Sequence, residues 1–268
     1  MQNAIWILNP EASSNTGCWQ STLFPLSCNS TYMIPWLTEQ SDFPPLNQAL
    51  RDPDGLLAAG GDLSEQRLLA AYARGIFPWY SEGEPILWWS PDPRCVLYPE
   101  RLHISRSLRK KLRKFDYKVT LDTAFADVMI ACAAPRDEDT GTWITVDMFE
   151  AYCQLHRHGH AHSVELWHKG ELVGGLYGIA MGRVFFGESM FSRVGDGSKI
   201  AFVWFVEQLK KWGYALVDCQ VHSEHLVSLG AEEISRYRFA RELAQLVRHP
   251  DSHPWQFDLE KDWFECVR

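Results

Sequence analysis

A chain of 268 residues with 46% hydrophobic and 22% charged residues has ample core for one large domain or two smaller ones. The net charge of −8 excludes a general DNA-coating protein, and seven scattered cysteines without a CxxC pair give neither a disulfide framework nor a zinc ribbon. No apolar run approaches the ~18 residues of a membrane span, and Ile5–Leu8 lacks a basic n-region and a cleavage site, so the cytoplasm is the expected location.

Residues 1–32 are rich in Ser, Asn, Thr, Pro and Cys without sustained periodicity, and read as a disordered or upstream extension. Met33-Ile34-Pro35-Trp36 is the more natural beginning. Residues 33–98 read as a small mixed α/β domain. Asp62 followed by Glu65 is a capping-box-like start for a helix through Arg74, which Gly75-Ile76-Phe77-Pro78-Trp79-Tyr80 ends. Strands over 85–89 and 95–98 flank the Ser90-Pro91-Asp92-Pro93 turn.

Residues 99–248 begin with a helix over 105–114 whose positive face carries Arg106, Arg109, Lys110, Lys111, Arg113 and Lys114. Without acidic partners on the helix, that concentration in an acidic protein is an electrostatic footprint for phosphates; a solvated helix face is the alternative. A strand over 117–121 and helices over 123–132 and 146–156 follow. Strands over 163–167 and 171–179 form a hairpin, and 184–190 returns beside it. A helix over 198–211, a strand over 215–219, helical residues from His222 and a last helix over 238–247 complete the domain. Meander, helix, strand, helix is an α+β order, that of acetyltransferase-like (GNAT-like) folds. Such folds cradle a pyrophosphate at a helix start. Here the loop Arg193-Val194-Gly195-Asp196-Gly197 is one residue tighter than the acyl-CoA pattern, which weakens a coenzyme reading. Residues 249–268 form a tail.

Chemistry concentrates in Phe185–Ser192 and Leu216–Gln220. Both read as apolar strands buried on two faces, where Glu188, Asp218 and Gln220 are costly unless they have a task. Solvated strand ends are the alternative. The alternating His156, His158, His160 and His162 lack an accompanying set of acids or cysteines, so no metal is expected, and His160 and His162 read as structural hydrogen-bonding groups. Cys219 points away from Asp218 and Gln220 and reads as buried and inert.

Several motifs resemble the leucyl/phenylalanyl-tRNA–protein transferase family over residues 43–234. They are Gly55–Leu63, Arg74–Trp79, Trp88–Arg94, Gly141–Thr145, Gly159–Glu165, Gly187–Ser192 and Asp218-Cys219-Gln220. The resemblance implies an acetyltransferase-like catalytic domain, a smaller domain that helps bind tRNA, and no cofactor. No membrane association is expected from the lack of a long apolar run, and a monomer is expected because nothing in the sequence demands a partner subunit. By the resemblance, the partners would be Leu-tRNA and Phe-tRNA, engaged at the acceptor stem and 3′ adenosine. Acceptors would be proteins with N-terminal Arg or Lys, which receive Leu or Phe, less readily Met, and are thereby marked for degradation. Asp218, Gln220 and Glu188 would be catalytic. Asp218 either takes the amine proton or leaves that step to the adenosine 2′-OH, and Glu188 contacts the donor amine or ribose. Leu176, Phe185, Met190, Phe202, Phe205 and Val217 would line the side-chain pocket, and Trp79, Trp143 and Tyr152 would frame the adenosine. The basic helix would meet acceptor-stem phosphates. An acyl-CoA-dependent N-acyltransferase and an idle RNA-binding scaffold are the competing classes.

Overall fold

The computed structural model describes residues 34–114, 116–134, 144–250, 253–259 and 263; the 1–32 extension and Trp143 lie outside them. The first strands are β1 (Trp36–Leu37) and β2 (Leu56–Gly60), followed by helix α1 (Glu65–Tyr72), β3 (Phe77–Pro78) and β4 (Leu87–Trp89). They form a four-stranded sheet in the order β1-β2-β4-β3. The cap of α1 differs from expectation. Ser64, not Asp62, is the N-cap and accepts from the Arg67 N–H. Asp62 instead accepts from the Ser64 N–H and pairs with Arg67 Nε at 3.0 Å. Both residues can cap. Arg67 decides between them, because its guanidinium is fixed by the carbonyls of Thr38, Glu39 and Ser41 and draws the carboxylate to itself.

The chain crosses to the larger sheet at Ser90–Pro93, so β5 (Arg94–Leu97) stands in that sheet although the sequence carries the small domain through residue 98. Next come α2 (Arg106–Lys114), β6 (Lys118–Leu121), α3 (Phe125–Ala133) and α4 (Val146–Arg157). The meander β7 (Ala161–His168), β8 (Glu171–Met181) and β9 (Val184–Ser192) leads into α5 (Gly197–Lys211) and β10 (Leu216–Gln220). Short α6 (Glu224–Val227), β11 (Glu232–Ile234) and α7 (Arg236–Leu246) complete it. The sheet order is β11-β5-β10-β9-β8-β7-β6, and β9 and β10 are parallel. The fold is α+β with the acetyltransferase-like succession β9-α5-β10. None of the described helices is long and apolar enough to cross a membrane.

Two apolar cores sandwich the large sheet. One joins it to the small sheet and to α3, α4 and α7, through Trp88, Phe77, Tyr177, Phe186 and Phe239; the other lies beneath α5 and α2. Two irregularities at the centre position the polar residues. In β9, Gly187 pairs with Gly178 and Ser189 with Tyr177, leaving Glu188 as the extra residue of a bulge. The bulge reverses the alternation of faces. Phe185 and Met190 therefore share the α5 core, while Phe186 and Phe191 share the other. In β10, Asp218 pairs with Val96 and Gln220 with Cys95, so Cys219 is a second bulge, and Gln220 takes φ 63°. β10 pairs with β9 only from Val184 to Phe186, while β9 continues to Ser192. The sheet forks there, and both bulges lie at the fork.

Candidate active site

Glu188, Asp218 and Gln220 are each 0% exposed. The Glu188 carboxylate receives Tyr72 Oη at 2.7 Å and Gln220 Nε2 at 2.9 Å on Oε1, and Tyr152 Oη at 3.0 Å on Oε2. The two tyrosine hydroxyls also bond to each other. One carboxylate thus ties α1 of the small domain to α4, β9 and β10. Burial raises the Glu188 pKa to about 7, helped by the Asp218 charge and opposed by the three donors. The hydroxyls of Tyr72, Tyr152 and Tyr177 are pushed far up by burial and then by Glu188, so all three stay protonated at neutral pH.

Asp218 has a different environment. Arg94 Nε and Nη2 donate to Oδ1 and Oδ2 at 2.8 and 2.6 Å, and the Gln220 N–H donates to Oδ1 at 2.9 Å. Both oxygens are engaged by the fork of an arginine that is 1% exposed. Around these groups, Gln220 Oε1, Ser189 Oγ and Tyr177 Oη are buried without a hydrogen-bond partner among the described residues. Orphaned acceptors and donors in a buried cluster are costly to folding, and their concentration here is a functional signal.

Of the aromatic residues that the sequence sets around a base, Tyr152 is fully buried, its ring edge-on to Tyr177 at 5.9 Å and its hydroxyl on Glu188. It offers no open face, because its helix packs against the first core; this corrects the stacking expectation. Trp79 is half-buried, 5.5 Å from Trp89, with its carbonyl accepting from Trp89 Nε1. Leu176, Phe185, Met190, Phe202, Phe205 and Val217 share one buried apolar core. All are 0% exposed in the α5 core, with Phe185 and Phe205 edge-to-face at 4.5 Å. They lie across the sheet from Glu188, on the face that the bulge gives to Met190. Surface cavities of about 400 Å³ along Glu39–Phe43 and α1, and about 290 Å³ beside Arg183 and Trp212, include none of these residues.

On α2, Arg106, Lys110, Arg113 and Lys114 are exposed, while Lys111 finds an acidic partner off the helix in Asp196. His162 is 4% exposed with Nδ1 2.7 Å from Asp122 Oδ2, and His158 and His160 face Glu65. Burial pushes the Cys219 thiol well above its ordinary pKa, helped by its neighbour Cys95. Sequence reasoning missed Arg94, Tyr72 and Tyr177 as site residues. Arg94 carried a signal, since it opens the buried strand Cys95-Val96-Leu97; the tyrosines did not differ from core residues.

The sequence places the chain among known proteins. The model of the leucyl/phenylalanyl-tRNA protein transferase matches residues 96–244, and that of the same family's N-terminal domain matches 61–92. The leucyl/phenylalanyl-tRNA–protein transferase of Stutzerimonas stutzeri (strain A1501) is 59% identical over 225 residues, 84% of this chain and 100% of that protein. Its counterpart in Pseudomonas entomophila (strain L48) is 61% identical over 224 residues, 83% of this chain and 99% of that protein. A GCN5-related N-acetyltransferase-like structure from Streptococcus suis is 14% identical, with a TM-score of 0.30, covering 63% of this chain and 64% of its own. The chain belongs to the leucyl/phenylalanyl-tRNA–protein transferase family, and is a transferase enzyme.

Proposed function

We propose that the chain moves Leu or Phe, and less readily Met, from aminoacyl-tRNA to the α-amino group of proteins that begin with Arg or Lys, marking them for degradation in the cytoplasm. The observation that carries the reading is the fork between β9 and β10, where the buried Glu188 carboxylate stands beside Gln220 Oε1, which has no hydrogen-bond partner among the described residues. The donor is an ester to the 3′-terminal adenosine and is already activated. The acceptor amine has a free pKa of about 8, so roughly a tenth of it is unprotonated at neutral pH. Catalysis is therefore mainly orientation and the handling of one proton.

In this reading Gln220 Oε1 accepts a hydrogen bond from the attacking amine, while its Nε2 is steadied by Glu188. The amine nitrogen bonds to the ester carbonyl carbon, the carbon–oxygen ester bond breaks, and the ribose 3′-oxygen leaves as a hydroxyl with the amine's proton. Asp218 is a poor carrier for that proton because both its oxygens are engaged. The 2′-OH beside the leaving oxygen is the relay, and Asp218 serves by holding Gln220. Glu188, with its pKa near 7, contacts the donor's amino group or ribose. Leu176, Phe185, Met190, Phe202, Phe205 and Val217 receive the Leu or Phe side chain; Trp79 and Trp143 stack on the adenosine, where each aromatic contact contributes ~1–3 kcal/mol.

The exposed cations of α2 meet acceptor-stem phosphates, a contact of shape and charge that reads few bases and suits several tRNAs. Changing Arg106, Lys110 and Arg113 together to Ala raises KM for Leu-tRNA, leaves kcat in place and lowers the salt slope by about 0.7–0.9 for each phosphate no longer neutralised. Kinetics from low to moderate salt check this; an unchanged slope leaves α2 an ordinary solvated helix. The function itself is tested with labelled Leu-tRNA and Phe-tRNA and peptides beginning with Arg, Lys or Ala. Transfer to the first two and not the third is the expected result. Absence of transfer by folded protein refutes the reading.

A further inference from the structure

The motifs Arg74–Trp79 and Trp88–Arg94 contribute, Trp79 aside, no donor or acceptor contact in the reading above, yet they converge on the Arg94 guanidinium. Arg94 is 1% exposed and is the first residue of β5. Besides its two bonds to Asp218, Nη1 donates to the Gly75 carbonyl at 3.1 Å. Its two faces are covered by Phe77, with the ring centroid at 4.8 Å, and Phe239, at 4.6 Å. Gly75 is needed for that enclosure: it has φ +77°, and a Cβ there would meet Phe239 Cε1 at 2.6 Å. The small sheet, α7 and the segment after α1 therefore build a socket for one cation, and its two strongest bonds go to the carboxylate that holds Gln220.

A buried ion pair is a poor way to stabilise a fold, because desolvating both charges offsets much of their attraction. It fixes geometry well, since a planar fork binds a carboxylate in one orientation. That orientation matters at Gln220, a residue with a side chain in the left-handed region. The Asp218 Oδ1 bond to the Gln220 N–H ties that turn to the strand, and the turn directs Nε2 to Glu188.

We propose that Arg94 is a positioning residue of the transfer reaction: by clamping both oxygens of Asp218 it sets the Gln220 turn, and with it the direction of the Gln220 amide. The inference rests on the role given to Gln220 above. It makes the Asp218 carboxylate part of a scaffold, with the small domain as its outer wall.

The test uses the full chain, R94K, and the double variant R94M/D218L, which removes both charges and keeps the volume filled. R94K retains the charge without the fork. It is expected to lower kcat at least tenfold with KM for Leu-tRNA unchanged. R94M/D218L is expected to melt at or above the wild-type temperature, as neutral replacements of buried pairs often do. Its kcat should nevertheless fall about a hundredfold, the scale of a misplacement of 1 Å. A double variant that transfers at the wild-type kcat would overturn the proposal and leave the pair a purely structural tie. The Gln220 side-chain amide, observed by ¹⁵N–¹H NMR, answers without turnover. In the wild type it should be shifted and slow to exchange, and in both variants it should return to the position of a solvated glutamine. An amide signal unmoved by either variant overturns the proposal as well. Wild-type protein that transfers nothing, with the amide responding as expected, faults the proposed function and not Arg94.

Discussion

Glu188→Gln loses transfer activity and gains thermal stability above neutral pH. The wild-type carboxyl is held at about 7 in the fold against an ordinary value of 4.5, with burial as the main cause. Because the folded value is the higher one, the folded state favours the protonated carboxyl. That contribution to stability is fully present below pH 4.5 and is lost as the pH rises through about 7. The whole change amounts to about 3 kcal/mol, at 1.36 kcal/mol for each pH unit between the two values. An amide cannot ionise, so the variant and the wild type should melt together near pH 4.5. By pH 8 the variant should lead by roughly 6–12 °C, on the scale of 2–4 °C per kcal/mol for chains of this size. The amide oxygen keeps an acceptor for Gln220 Nε2, and its NH₂ can be met by a tyrosine hydroxyl that reverses its bond, since Tyr72 and Tyr152 already bond to each other.

Activity moves the other way. A hydrogen bond to a charged group is worth about 1.5–3 kcal/mol, so kcat/KM should fall about 10- to 100-fold. The ionisation near pH 7 should also vanish from the pH–rate profile. Melting curves and rates across pH 4.5–8 measure both effects. A stability gap independent of pH would show that Glu188 is already ionised in the fold, and undiminished transfer would remove it from the site.

The strands that carry the chemistry were legible because each is an apolar run too hydrophobic for a sheet edge, and β9 and β10 are indeed buried along their whole lengths. The basic face of α2 was equally visible, whereas the six apolar residues were picked out only by their match to family positions. What could not be read was how these strands go out of register. The Glu188 bulge exists only relative to β8. It forms where Gly178 allows the backbone of β9 to approach so closely that a Cβ would lie 2.1 Å from the Phe186 carbonyl. Nor does local sequence announce that Arg94 and Asp218, 124 residues apart, form one unit, or that Tyr72 reaches Glu188 across 116 residues. Propensity was silent on β2 as well, whose Leu-Leu-Ala-Ala-Gly run contains no β-branched residue. The tail is a further case. Trp255 and Trp263 matched no motif, yet Trp255 stacks on His162 at 3.4 Å and Trp263 packs on Trp204, closing the outer side of the second core.

Met190→Ala should change which amino acid is transferred, and by more than it changes the rate. Met190 is the first residue that the bulge returns to the α5 face, opposite Leu176 and close to the fork where the ester would lie. An unbranched thioether with three rotatable bonds is the member of the cluster that yields most readily to an incoming side chain. Truncating it costs about 2–5 kcal/mol of stability, from the apolar burial removed and the cavity left behind. That same space is available to a donor, and a benzyl group fills it better than an isobutyl group. Hydrophobic pockets discriminate by ~1–3 kcal/mol per methylene, so the ratio of Phe to Leu transfer should rise about tenfold. Leu166→Ala is the control. It lies in the same core, on β7 and outside the six residues, is also 0% exposed, and should carry a similar stability cost with no change in the ratio. Paired transfer assays with the two charged tRNAs, run well below both melting temperatures, separate the cases. If both variants shift the ratio equally, the core as a whole sets donor choice through its looseness. If only Met190→Ala does so, the six side chains are the specificity pocket, and the bulge at Glu188 is what connects that pocket to the reacting groups on the opposite face.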